Sequence, residues 1–146
     1  MNEEFLSEVT EQENSTPEVV KPAECNPNSI LSSIKKMLPI PEELEHFDVD
    51  IIIHINTALM VLTQLGVGPA KGFSIVDKTA VWTDFVPDIE RLEAIKTYVY
   101  LKVKLVFDPP QSAAAIESLN KQISEYEWRI NVAVETTTSE EESKNA

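Results

Sequence analysis

Residues 48–66 read DVDIIIHINTALMVLTQLG, a helix with apolar side chains on nearly every side. One stripe is Ile51, Ile55, Ala58, Leu62 and Leu65; a second is Ile52 and Leu59 with Met60 or Val61. Asp48 stands at the cap position, and Asp50 lies in the first turn, where an acid favours the positive end of the helix dipole. Gly66 supplies the stop. A helix that is apolar all round must be enclosed, by its own domain or by neighbours. A folded part of roughly a hundred residues offers little material to wrap it. The expectation is that both stripes are buried in an assembly, with Ile55 at a contact between copies.

Upstream, Asn28 or Ser29 caps a short helix over Ser29–Met37, with Ile30 and Ile34 on one face and Lys35 and Lys36 facing water. Pro39 and Pro41 end it, because proline removes a donor and restricts its predecessor. Downstream, GVGPAKG gathers all three glycines of the chain and reads as a loop. Phe73–Val76 and Ala80–Trp82 then form either a small hairpin or an irregular loop. Pro87 opens a third helix that runs to Phe107. Its second half, TYVYLKVKLVF, alternates like a strand, but ERLEAIK runs into it without a break, so helix is expected throughout. Asp108-Pro109-Pro110 ends it. Ser112 caps a fourth helix running to Val132, with Ile116, Leu119, Ile123, Tyr126 and Ile130 in a heptad-like pattern. Glu117–Lys121 and Glu125–Arg129 are favourable i, i+4 pairs. The class is mainly α: about four helices, with a loop or short β-hairpin between the second and third.

The net charge of -13 is unevenly placed: -6 for residues 1–26 and -3 for 135–146, leaving -4 for 27–134. Residues 1–27 and 135–146 are poor in large apolar groups, so disordered acidic tails are expected around a helical domain spanning 28–134. Phe5 and Leu6 are the apolar exceptions in the first tail. Phosphate-backbone binding needs concentrated Lys and Arg and does not fit this balance, whereas an acidic lining would let a duplex slide. The single cysteine, Cys25, excludes an internal disulfide. His54, Asn56, Thr57 and Gln64 interrupt the best candidate membrane span, and MNEEFLSE is acidic where a secretory signal is basic, so a soluble intracellular protein is expected.

Catalytic chemistry finds no foothold. His46 and His54 lack the further ligands a metal site needs, no nucleophile turn accompanies Ser, His and Asp, and GVGPAKG lacks the Lys-Ser or Lys-Thr of a phosphate loop. No catalytic, cofactor or metal residues are assigned. The candidate residues are interface residues. Phe73, Trp82 and Phe85 lie outside the regular helices, either as anchors on a neighbour or folded back on their own helices. Lys102 and Lys104 interrupt an apolar helix, either laying their stems along apolar surface or meeting acids of a second copy. Trp128 and Arg129 form a stacked pair, an interface anchor or a contact with the core.

Taken together, DIIIHINTALMVLTQLGVGP, the Phe73 block, TYVYLKVKLVFDPP and EYEWRIN resemble the small head–tail connector proteins of long-tailed bacteriophages, over residues 29–134. The resemblance implies a helical virion protein in a ring of about twelve subunits. It implies a place beneath the portal, with the portal and the next head-completion or tail protein as partners, DNA passing through unread, and no membrane or cofactor. The acidic segment 1–27 departs from the compact members of that group. The competing expectation is a small acidic helical regulator that binds a partner through its tails and stays monomeric or dimeric.

Overall fold

The computed structural model describes residues 26–146. The expectation of disorder for residues 1–27 therefore falls almost wholly outside the described residues. The elements are α1 (Ile30–Met37), a 3-10 turn (Glu45–Phe47), α2 (Asp48–Gln64), α3 (Trp82–Phe85), α4 (Ile89–Phe107) and α5 (Ala113–Lys144). The chain is mainly helical, as expected. Helix α4 is the middle of the fold. It packs against both α2 and α5, and α1 packs against both α2 and α4.

The first stripe of α2 faces inward: Ile51, Ile55, Ala58 and Leu62 are buried, with Leu59 of the second stripe beside them. Across from them α4 buries Leu92, Ile95, Tyr98, Val99, Leu101 and Val103. This explains why TYVYLKVKLVF is helical despite its strand-like alternation. Its inward positions meet apolar partners at helical spacing, and that burial outweighs a propensity difference of at most about 1 kcal/mol per residue. By length and composition alone, Glu45–Gln64 is long and apolar enough to cross a membrane. The packing of its inward face against α4 is that of a core helix.

Three local expectations are corrected. Asp48 does not cap α2; Phe47 occupies that position without a side-chain bond, and the Asp48 carboxylate turns to Lys35 instead. Lys35 does not face water. It is 1% exposed, its Nζ donates to the carbonyls of Glu42 (2.9 Å) and Leu44 (3.2 Å), and it lies 2.7 Å from Asp48 Oδ1. The prolines that end α1 fold the 38–47 linker back over the helix, and its carbonyls need a donor. A lysine stem is long enough to supply one from inside.

Of the two readings of residues 73–82, the irregular loop is the one that forms. No strand forms among the described residues. Residues 80–82 pair with the start of α1: Ile30 N–H donates to Ala80 O and Trp82 N–H to Asn28 O, both at 3.0 Å, around a single Ser29–Val81 bridge. Ile75 is held by one side chain, the Asn56 carboxamide, which accepts from its N–H at 2.8 Å and donates to its carbonyl at 3.0 Å. The third correction concerns the carboxyl end. Helix α5 continues to Lys144, past the expected stop at Val132, so residues 135–144 are helical rather than a disordered tail. No Gly or Pro interrupts them, and the hydroxyls of Thr136, Thr137, Thr138 and Ser139 each donate to the carbonyl four residues back.

The caps on the other helices follow the sequence. Ser29 Oγ accepts from Ser32 N–H and also donates to Lys78 O at 2.7 Å. Ser112 Oγ accepts from Ala115 N–H at 3.2 Å. Asp88 caps α4 by accepting from Glu90 N–H, so that helix begins just after Pro87 rather than at it.

Candidate functional site

The described residues hold no group of three or more His, Cys, Asp or Glu placed to bind a metal ion. What the surface offers is packing area. Ile55, Trp82 and Phe85 are at most 1% exposed and belong to the chain's own core, so they are not surface that a second copy could reach. Trp82 Nε1–H donates to Ser33 Oγ at 2.8 Å, which ties α3 to α1. Phe85 stacks at 5.4 Å, tilted, on the half-buried Phe73. These rings fold back because α3 is a single helical turn with α1 above it, and no hairpin carries them outward.

Lys102 sits 6.0 Å from the centre of the Tyr98 ring, and Lys104 pairs with Asp108 one turn on. Both are thus engaged within their own helix. Arg129 donates from two nitrogens to Glu125 Oε1 at 2.9 and 2.7 Å, and Lys121 meets Glu117 at 3.0 Å, the two i, i+4 pairs expected. Trp128 is 64% exposed, with Val132 one turn further along the same face of α5. Of the eight candidates, Trp128 therefore stands out as a free apolar surface.

A second free surface was missed by the sequence reading. Val49 (68% exposed), Ile53 (55%) and Met60 (53%) share the outward side of α2 with Thr57 and Gln64. Asp50, exposed in the first turn, stands at the amino-terminal end of this row, and no charged residue follows it along the row. Val76 is exposed beside it, across a shallow cleft from Val49 and Ile52. The signal was present as apolar residues at i, i+4 and i+11. It was hidden because the whole helix is apolar and no single face announced itself.

A cleft of about 400 Å³ lies where the 66–69 loop meets the start of α4 and α5, with Phe85, Arg91, Ile95 and Val134 in its walls. Gly68, at φ +81°, brings the loop so close to Phe85 that an added Cβ would stand 2.3 Å from the ring. Arg91 pairs with Asp88 at 3.3 Å and donates to the Thr137 hydroxyl, fastening the start of α4 to the extended part of α5. Near the middle of the α4–α5 contact, Tyr98 O–H donates to Glu127 at 2.7 Å. Burial, and then the Glu127 carboxylate, push that phenol well above its usual range. In the shallow cleft beside Val49 and Val76, hydrogen bonds from the Thr79 side chain and backbone hold the Asp77 carboxyl below its usual value.

This arrangement is a helical scaffold with free apolar faces, and it agrees with what relatives of the chain are. The family model described as phage connector protein matches residues 30–137, and the chain belongs to that family. No curated protein and no solved structure gives a significant match. Membership implies a structural role at the phage head–tail junction and contact with portal or tail proteins. The family is a structural one rather than a family of enzymes.

Proposed function

We propose that the chain forms a ring of about twelve copies beneath the portal, as closed cyclic assemblies of one subunit do. The ring joins the phage head to the tail and extends the channel through which DNA passes without sequence-specific binding. The observation that carries this reading is the family match across residues 30–137, which takes in every helix from α1 to most of α5. Two features support it. Beyond Asp50 in its first turn, the outward side of α2 is uncharged in a protein of net charge -13, a combination that suits contact with protein rather than with phosphate. The acidic balance also suits a conduit that must release DNA.

On this reading the portal holds one surface of the ring, and the next head-completion or tail protein holds the other. Assembly takes place in the host cytoplasm, and the finished ring stays in the virion. The test is negative-stain imaging of the purified full chain mixed with its portal. Rings stacked on portal particles are expected. A chain that stays monomeric or dimeric and leaves the portal bare would instead fit a small acidic regulator. Virions that assemble normally without a working copy of the protein would remove the connector reading.

A further inference from the structure

The apolar row on the outward side of α2 lies close to the point where the chain enters the described residues. Val49, Ile53, Met60 and Val76 are each more than half exposed. Asn56 holds both backbone groups of Ile75, which places the next residue, Val76, beside α2. Short bonds tie Asn26 to the same place. Its carbonyl accepts from Ser29 N–H at 2.9 Å, and Ser29 Oγ donates to the Lys78 carbonyl at 2.7 Å. Lys78 in turn lines the shallow cleft between Val76 and Val49. Residues 1–25 lie outside the described residues, and they join the fold at this edge.

We propose that residues 17–22 of the same chain, PEVVKP, lie on this face, with Val19 and Val20 covering Val49, Ile53 and Val76. The proposal does not depend on the ring. The length allows it: Val20 stands six residues before Asn26, a reach of up to about 20 Å, and the row from Val49 to Met60 is about 16 Å long. The two prolines favour it. Each fixes its own φ and Pro22 restricts Lys21 to extended conformations, so the stretch has less freedom to lose on docking. Charge selects it. The rim of the face carries Glu45, Asp50 and Asp77 against Lys78, all exposed. Lys21, the only base among residues 1–25, follows the valine pair, and Glu18 precedes it, so the stretch brings a base to the acids and an acid to Lys78. Phe5 and Leu6 are the other apolar pair. Glu3, Glu4 and Glu8 surround them without a base, and they would close a longer loop. A segment tethered this closely is present at an effective concentration of roughly millimolar, ahead of a dilute second copy. Another protein then reaches the α2 face only when this segment lifts.

The test uses the full-length chain by itself, without portal, and follows the methyl NMR signals of its Val, Ile and Met residues. Val19→Asp/Val20→Asp is expected to move the signals of Val49, Ile53, Met60 and Val76. Those of Ile89 and Val132, exposed on α4 and α5, should stay in place. In a chain carrying Cys25→Ser, an Ile53→Cys thiol should react severalfold faster with a bulky maleimide once both valines are replaced by Asp. Signals of the α2 face that do not move, or equal thiol rates with and without the valines, would overturn the proposal. Movement of those signals by Phe5→Asp/Leu6→Asp alone would overturn it in favour of the other apolar pair. A sedimentation coefficient that rises with concentration, in step with the same signals, would overturn it in favour of a second copy.

Discussion

Lys35 gives the sharpest test of the fold, because its place contradicts what its chemistry suggests. Lys35→Met keeps the stem and deletes the ammonium. The change strips the donor from the Glu42 and Leu44 carbonyls and leaves the Asp48 carboxylate, 22% exposed, without its cation. Removing one member of a buried pair costs about 3–5 kcal/mol. Water that reaches Asp48 recovers part of this, so a loss of about 3 kcal/mol is expected. With a urea slope of about 2 kcal/mol/M, the midpoint should fall by about 1.5 M. The double variant Lys35→Met/Asp48→Asn no longer leaves a charge stranded, and it should be more stable than the sum of the single changes by about 1–2 kcal/mol. Urea unfolding followed by circular dichroism and by tryptophan emission measures all three variants. A Lys35→Met midpoint within about 0.3 M of the parent, or strict additivity in the cycle, would refute the buried ammonium and with it the folded-back 38–47 linker.

Three further outcomes are expected. Ile55→Asp should lose about 6 kcal/mol at pH 7: about 2 from lost apolar burial and about 4 from protonating a carboxyl that ionises near 3.9 when unfolded. A folded, assembling Ile55→Asp protein would show that the inward face of α2 is misplaced. Gly68→Ala should destabilise by 2 kcal/mol or more, roughly, because the new methyl meets the Phe85 ring. Gly72→Ala, at a similar φ of +89° but with open space around it, should cost only about 1 kcal/mol; equal melting shifts for the two would contradict the close approach at Gly68. Tyr98 carries a raised folded value, so its contribution to stability is complete below the ordinary phenol value of 10.0 and is lost as pH rises above it. Alkaline unfolding should therefore be steeper in the parent than in Tyr98→Phe, and matching profiles would remove Tyr98 as the cause.

The helices were legible because each carries local signals. Ser29 and Ser112 were readable as caps, Pro39 and Pro109 as stops, and the inward row of α2 as a repeat. The corrections came where a side chain acts at a distance in sequence. Lys35 reads as solvated until the linker beyond two prolines returns over it. Residues 80–82 look like one arm of a hairpin until the start of α1 proves the better partner. The acidic composition of residues 135–144 argued for disorder, but without a Gly or Pro the backbone continued the helix it had begun. The same cause separates the candidate surface residues. Trp82 and Phe85 are as large and apolar as Trp128, and only the fold decides which of the three is covered.

The fastening of α1 has a consequence for how the chain acquires this fold. Ser29 bonds to Lys78 and Ser33 to Trp82, each across 49 residues of sequence, whereas α4 and α5 are joined by a turn of a few residues. Closing the long loop costs more entropy than closing the short one, and contacts near in sequence form sooner. The α4–α5 pair is therefore expected to zip first and α1 to dock last. In the native state the order reverses, and α1 is expected to open before α2 and α4. Amide exchange would show it, with the protons of residues 33–38 replaced before those of α2 and α4. Since α1 directly follows the acidic amino-terminal segment, a pull on that segment would reach α1 before the other helices of the core. Such a pull could lift α1 while the three long helices stay closed.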